Sequence, residues 1–141
     1  MSQVQIVEPQ DRFVLPTGKE VTLLDVLRFC YGLSETDVQI LMALLKSSPN
    51  RKLSEDLKQE LQVSMAMVNR SLNKLLSLGL INRTKEVGNR TGRPRYLYFI
   101  PDPEEFKAKV AKEIEDCAND IRNVVATQFV PPLSTSLVLQ G

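Results

Sequence analysis

The chain has 141 residues, 43% of them hydrophobic, and a formal net charge of +1. It has no run approaching the roughly 20 apolar residues that a membrane span needs, and it has no histidine, the usual general base and the commonest metal ligand. Its two cysteines, Cys30 and Cys117, form neither a zinc motif nor a CxxC redox pair, so we expect a soluble protein that is not an enzyme and holds no metal or cofactor.

The first third of the sequence predicts a turn or small hairpin followed by two helices. Residues 12–15 and 19–21 flank the turn sequence Pro16-Thr17-Gly18. From Thr22 apolar residues follow helical spacing up to the stop at Gly32, namely Leu23, Val26, Leu27 and Cys30. Ser34 caps a second helix with an acidic first turn, which suits the positive end of a helix dipole. The buried stripe predicted for that helix consists of Val38, Leu41, Met42 and Leu45.

The middle of the sequence predicts helix, tight turn, helix and a two-stranded hairpin. A short helix should run from residue 53 or 54 to 61, with leucines four apart on one face. Residues 62–64 connect it to a helix over residues 65–78, which Ser64 caps and Gly79 terminates. Its inward stripe is Val68, Leu72 and Leu75. Residues 80–86 and 95–100 have strand character, and the polar residues 87–94 between them form the hairpin loop.

Positive charge is concentrated in this hairpin and the helix before it. Residues 64–100 hold seven bases and one acid, a local charge of +6, which is the electrostatic footprint of a phosphate-binding face. At about 100° per residue from Val68, one set of side chains falls at roughly 140–240°, opposite the apolar stripe, namely Arg70, Asn73, Lys74, Ser77 and Ala66. Arginine can pair with guanine and asparagine with adenine, so Arg70 and Asn73 suit the major groove. The alternative is an ordinary amphipathic helix with a solvated face, but this face lacks the acids that such faces usually carry.

The hairpin loop suits the minor groove. Gly92-Arg93-Pro94 keeps the backbone slim and holds an arginine extended, as a narrow, negative groove requires. The alternative is a hairpin tip with incidental charge. The candidate DNA contacts on helix and hairpin together are Ser64, Ala66, Met67, Asn69, Arg70, Asn73, Lys74, Ser77, Arg83, Lys85, Arg90, Arg93 and Arg95.

A long final helix is predicted from about Pro103 to Phe129, because Asp102 and Pro103 begin it and Pro131-Pro132 stops it. Such a helix would span about 40 Å. Its apolar residues follow the a/d rhythm of a coiled-coil seam, which predicts a dimer interface. The alternative is a helix packed back on its own domain. The predicted interface residues are Phe106, Val110, Ile114, Cys117, Ile121 and Val124.

Several segments resemble a known family over roughly residues 13–129. Residues 63–75 and 78–81 look like the recognition helix and strand entry of many prokaryotic winged-helix regulators. More selective are Leu-Pro-Thr-Gly-Lys at 15–19, Phe-Cys-Tyr-Gly-Leu-Ser at 29–34 and Gly-Arg-Pro-Arg-Tyr at 92–96. With the long final helix, these segments resemble the short Lrs-like regulators of archaea, which are related to leucine-responsive regulators but lack their ligand-sensing domain. The resemblance implies a dimeric, cytoplasmic transcription factor that binds promoter DNA and whose long helices pair antiparallel.

The implied antiparallel pairing gives Cys117 a particular position. In a two-fold antiparallel pair only residues near the midpoint meet their own copies, and the midpoint of the predicted helix is Asp116. Cys117 would therefore lie close to the Cys117 of the second copy. Reducing conditions inside cells favour a packed pair of thiols that can be oxidised over a permanent bridge, unless the source is a hyperthermophile.

The sequence therefore predicts a mostly α (α+β) winged helix-turn-helix fold with a long C-terminal dimerisation helix in an antiparallel coiled coil. We expect an N-terminal segment at 1–21, the DNA-binding domain at 22–100, the dimerisation helix at 101–130 and a tail at 131–141. The expected function is sequence-specific transcription regulation as a homodimer on double-stranded DNA. The first ten residues lack the features of a secretion signal, so we expect a cytoplasmic, nucleoid-associated protein with no evident small-molecule ligand. The alternatives are an architectural chromatin protein of low sequence specificity and a winged helix that binds protein.

Overall fold

The computed structural model describes residues 12–88 and 94–129. These residues form strands β1 (Arg12–Val14) and β2 (Glu20–Thr22), then helices α1 (Leu23–Tyr31), α2 (Glu35–Ser47), α3 (Ser54–Leu61) and α4 (Met65–Ser77). Strands β3 (Asn82–Lys85) and β4 (Tyr96–Phe99) and helix α5 (Pro103–Gln128) follow. The chain divides into two compact units, one up to Phe106 and one from Lys107 onward. The predicted hairpins and helices are all present, with bounds that differ by one or two residues.

The first hairpin closes on the predicted turn. Strands β1 and β2 are antiparallel, with Phe13 opposite Val21. The N–H of Leu15 donates to the Lys19 carbonyl and the N–H of Gly18 to the Leu15 carbonyl, both at 2.8 Å. Gly18 has a φ of 92°, a conformation that L side chains rarely adopt, so glycine is required at this corner.

Helices α1 and α2 begin with the same capping arrangement. The Thr22 hydroxyl accepts the N–H of Asp25, whose carboxylate accepts the N–H of Thr22. Ser34 and Asp37 repeat this exchange at the start of α2. These reciprocal bonds satisfy backbone donors that the first helical turn leaves without partners. The sequence therefore sets where both helices begin.

Helices α3 and α4 are joined by a very short turn. Its corner is Gln62, which has the left-handed φ of 56° and donates its N–H to the Lys58 carbonyl at 2.8 Å. Ser64 then caps α4 by accepting the N–H of Met67 at 3.1 Å. This geometry defines a helix-turn-helix pair in which α4 is the second helix.

The second hairpin has a neighbour that the sequence did not predict. Strands β3 and β4 pair antiparallel with Arg83 opposite Tyr98. Lys52, in the loop before α3, exchanges two backbone hydrogen bonds with Tyr98, at 2.8 and 2.9 Å. This isolated bridge ties the hairpin to the helix-turn-helix pair.

The core of the first unit lies between α2, α3, α4 and the second hairpin. Its fully buried members are Ile40, Leu41, Leu44, Leu57, Val68, Leu72, Leu75 and Ile100. The stripe predicted for α4 is confirmed, because Val68, Leu72 and Leu75 are all at 0% exposure. The stripe predicted for α2 is partly wrong. Met42 is exposed and Leu45 half-buried, while Ile40 and Leu44 are buried, because neighbours pack on more of α2 than one narrow stripe.

Candidate nucleic-acid interface

Helix α4 separates an apolar face from a polar one. Leu72 and the other stripe residues hold it against the core, whereas most of its remaining side chains are exposed. Six predicted contact residues are exposed here, namely Ala66, Met67, Asn69, Arg70, Asn73 and Ser77. Within residues 12–88 and 94–129, Arg70 makes no ion pair. The face that would meet a DNA groove therefore offers an unneutralised guanidinium.

Lys74 differs from these residues, although the sequence placed it on the same face. Its ammonium lies 3.4 Å from a carboxylate oxygen of Asp37 and donates to the backbone carbonyl of Gly32. Asp37 is 4% exposed, and its other oxygen accepts the Ser71 hydroxyl at 2.5 Å. Lys74 therefore lies at the edge between the polar face of α4 and the packed one.

The ionisation of Asp37 reflects these partners. Burial raises its pKa, but the N–H of Ser34, the hydroxyl of Ser71 and the ammonium of Lys74 outweigh that effect. The pKa of Asp37 is therefore below its ordinary value, and the carboxylate is charged at neutral pH.

The second hairpin, which consists of β3, β4 and the loop between them, is the wing of a winged-helix fold. Arg83 and Lys85 are exposed on β3. The guanidinium of Arg83 lies over the ring of Tyr96 at 3.9 Å from its centroid, a cation–π contact that orients the side chain on the strand surface. Arg90 and Arg93 were predicted at the tip of this hairpin and lie outside the described residues.

Arg95 reaches two acidic side chains. It lies 3.4 Å from Glu86 across the hairpin and 3.8 Å from Glu55 in the first turn of α3. All three side chains keep solvent access, with at least 30% of each exposed. Exposed ion pairs contribute little stability. These partners therefore orient Arg95 but do not prevent it from contacting another anion.

A polar groove of about 540 Å³ lies beside this ion pair. It runs between the first turns of α3 and α4 and strand β4, and Glu55, Asn69 and Arg95 are among the residues that line it. Asn69 therefore faces the wing strand, whereas Arg70 and Asn73 lie further round α4.

Sequence reasoning missed Arg51 as a member of this surface. Arg51 is exposed, and its guanidinium lies 4.8 Å from the centre of the Phe99 ring, at the hairpin's base. The signal that could have found it is weak, because a single arginine in a loop carries no periodicity. Only the bridge between Lys52 and Tyr98 places it beside the wing.

The described residues show no group that could hold a metal ion. In the same two ranges, 12–88 and 94–129, no helix is long and apolar enough to cross a membrane.

The residues predicted for the dimer interface differ along α5. Phe106, Val110, Ile114 and Cys117 are half-buried. Ile121 and Val124, nearer the C-terminal end, are 40% and 57% exposed. Val125 and Phe129, which the sequence analysis did not select, are 45% and 79% exposed. The end of α5 thus presents large apolar side chains to solvent in a single chain.

The structure corrects the expectation of a free thiol at Cys117. Neither Cys30 nor Cys117 is a free thiol in the structure. The expectation of a packed pair of reduced thiols at this position is therefore wrong.

Taken together, the helix-turn-helix pair, the two-stranded hairpin after α4 and the long final helix define a winged-helix protein of the kind that regulates transcription. The predicted fold class, mostly helical with a small antiparallel sheet, is confirmed. The chain belongs to the TrmB family, described as sugar-specific transcriptional regulators, whose profile matches residues 27–104. Members of this family regulate transcription and are not enzymes.

Two archaeal structures are similar to the chain. A possible transcriptional regulator from Methanosarcina mazei superposes with a TM-score of 0.70 at 18% identity, over 84% of this chain and 98% of its own. A protein from the thermoacidophilic archaeon Sulfolobus tokodaii superposes with a TM-score of 0.62 at 29% identity, over 72% of this chain and 92% of its own. No curated protein sequence matches the chain.

Proposed function

We propose that the protein is a sequence-specific regulator that binds promoter DNA as a homodimer, with α4 in the major groove and the wing in the minor groove. The observation that carries this proposal is the division of α4 into a fully buried stripe and an exposed polar face without an acid. Arg70 and Asn73 on that face have the donors and acceptors that read base edges. Membership of a family of transcriptional regulators supports the same function.

The wing would add sequence-independent affinity. Arg83, Lys85 and Arg95 lie on or beside the hairpin strands, and Arg90 and Arg93 belong to the sequence of its tip. Each phosphate that such a basic side chain neutralises releases counterions, so DNA binding should weaken steeply as the salt concentration rises. A regulator that binds chromosomal DNA would be found in the cytoplasm with the nucleoid.

The dimer is supported by the end of α5. Ile121, Val124 and Phe129 expose apolar surface that a second copy of the helix would cover, and burial of such surface favours association. We propose that two α5 helices pair antiparallel through their a/d residues. Assignment to the Lrs-like regulators is likewise a proposal, supported by the segments at 15–19, 29–34 and 92–96.

The test compares two duplexes at one fixed salt concentration. One carries the site that the protein selects from a random pool, and the other has a shuffled sequence of the same length and composition. A specific regulator should prefer the selected site by at least ~10³. Equal affinity for both duplexes would instead indicate an architectural DNA-binding protein. Failure to bind either duplex at low salt would indicate a winged helix that binds protein.

A further inference from the structure

We propose that Lys74 is a positioning residue that sets the rotation of α4, and not a residue that contacts DNA. This inference rests on the proposed function, because it assumes that α4 enters the groove. Lys74 lies on the recognition helix, where a basic side chain is ordinarily expected to contact a DNA phosphate. Its ammonium is instead joined to the Asp37 carboxylate and to the Gly32 carbonyl.

Asp37 needs Lys74 as its cationic partner. Asp37 is 4% exposed, and a buried charge is tolerated only where it is paired and hydrogen-bonded. One of its oxygens accepts the N–H of Ser34 at 2.8 Å and lies 3.4 Å from the ammonium. If Lys74 turned away to reach a phosphate, that carboxylate would lose its only cationic partner within the described residues. Leaving a buried charge unpaired is strongly unfavourable.

Lys74 also contacts the end of helix α1. Gly32 ends α1 in the left-handed conformation, with a φ of 70°, and its carbonyl accepts from the Lys74 ammonium. The lysine thus connects the end of α1, the first turn of α2 and the last turn of α4. A side chain held at both contacts is ordered before any DNA arrives.

Ser71 and Lys74 attach the same side of α4 to Asp37. Ser71 and Lys74 are three residues apart, so they lie on neighbouring positions of one side of α4, and both contact Asp37. Two attachments on one side oppose rotation of the helix about its axis. At roughly 6 Å from the axis, a rotation of about 10° moves a side chain by about 1 Å. Hydrogen bonds from Arg70 to a base tolerate only a few tenths of an ångström.

The test compares Lys74→Met with Arg70→Met, because both variants remove one positive charge from the same helix. The probe is shuffled duplex DNA, and the measurement is the slope of log affinity against log salt. Arg70→Met should reduce that slope by about 0.9 and leave the Tm near that of the wild type. Lys74→Met should leave the slope unchanged and lower the Tm by several degrees. A loss of slope in Lys74→Met as large as that in Arg70→Met would overturn the proposal.

A second readout separates positioning from stability. Well below the Tm of both proteins, Lys74→Met should reduce the preference for the selected site over shuffled DNA by about tenfold, the scale of one misplaced base contact. A purely structural lysine would leave that ratio unchanged, and that result would refute the positioning role.

A thermodynamic cycle keeps the pairing testable without DNA. Asp37→Asn, Lys74→Met and the double variant are compared by Tm, with Ser71→Ala as a milder variant if one of them does not fold. The double variant should lose much less Tm than the sum of the single losses, because its two changes break one interaction. Additive losses would refute the pairing. If the wild type binds no duplex, the proposed function fails while this cycle still decides whether the pair exists.

Discussion

Individual side chains on α4 have different tasks in this fold. Arg70 and Asn73 are exposed and face away from the core, whereas Ser71 between them is buried on Asp37. Specificity should therefore depend on residues that the core orients but does not cover. Neutral and charged residues on the exposed face should also have separable effects, since only the charged ones release counterions.

Replacing Asn73 by alanine tests base reading. An asparagine paired with adenine contributes about 1–3 kcal/mol of discrimination, so Asn73→Ala should weaken binding to the selected site by that amount. Because the side chain is neutral, the slope of log affinity against log salt should not change. Fluorescence anisotropy across a salt series measures both quantities. Gln39→Ala, an exposed amide on α2, is the control. An equal loss of affinity for shuffled DNA would contradict a base contact.

Replacing Glu55 by glutamine tests the acidic partners of Arg95. Removal of this carboxylate, 3.8 Å from the guanidinium, leaves Glu86 as the acidic partner of Arg95 and lowers the repulsion of phosphate near the groove. We expect Glu55→Gln to bind duplex DNA several-fold more tightly at low salt, with the gain shrinking as salt screens the charges. Glu105→Gln makes the same change in the first turn of α5 and should have no such effect. Equal gains in both variants would mean that only net charge matters.

At the scale of elements, the contact between α2 and α4 determines how the recognition helix is held. Asp37 belongs to the cap of α2, yet it binds Ser71 and Lys74 of α4. One residue thus serves both the start of one helix and the orientation of another. The sequence predicted only that Ser34 caps α2 and that the first turn of this helix is acidic, because both signals are local. The second role could not be predicted, since Ser71 lies 34 residues away.

The pH dependence of stability follows from Asp37. Its pKa is lowered below its ordinary value of 3.8 in the folded protein, so the unfolded chain takes up its proton first as the pH falls. The stability that its charged form contributes is therefore complete above about pH 4 and is lost as the pH falls through the folded pKa.

Denaturant unfolding of the wild type and Asp37→Asn measures this effect. At neutral pH the variant should be less stable by about 1.5–3 kcal/mol, the range for hydrogen bonds to a charged group. The difference should shrink as the pH falls below about 4, because the unfolded wild-type chain then takes up the Asp37 proton before the folded protein does. Lys74 is the charged group that faces Asp37. A difference that stays constant with pH would contradict the assigned role.

At the scale of the whole molecule, the proposed association through α5 would decide how many recognition helices meet the DNA. A homodimer presents two copies of α4 related by a two-fold axis, which suits a palindromic site. The apolar side chains at the end of α5, which include Val124 and Phe129, are the surface on which this association would depend.

Placing a charge on that surface tests the dimer. Val124→Glu should lower the sedimenting mass from two chains to one, because a buried, unpaired carboxylate is costly. The slope of log DNA affinity against log salt should then fall by roughly half, since one recognition helix and one wing remain. Asn119→Glu adds the same charge at about 200° from Cys117 around α5 and should leave the mass unchanged. A Val124→Glu protein that still sediments as two chains would contradict the proposed interface.

The sequence by itself determined which residues form each element and which face of α4 is buried. Caps, glycine stops and the spacing of Val68, Leu72 and Leu75 are local, so their physics is readable along the chain. Only the tertiary structure decided which of the clustered lysines and arginines contact other residues of the protein. Lys74 meets Gly32 across 42 residues, and α4 and β3 lie between Glu55 and Arg95 in the sequence. Such contacts depend on how elements pack, because an ion pair needs its partner within a few ångströms in space and at no fixed spacing in sequence.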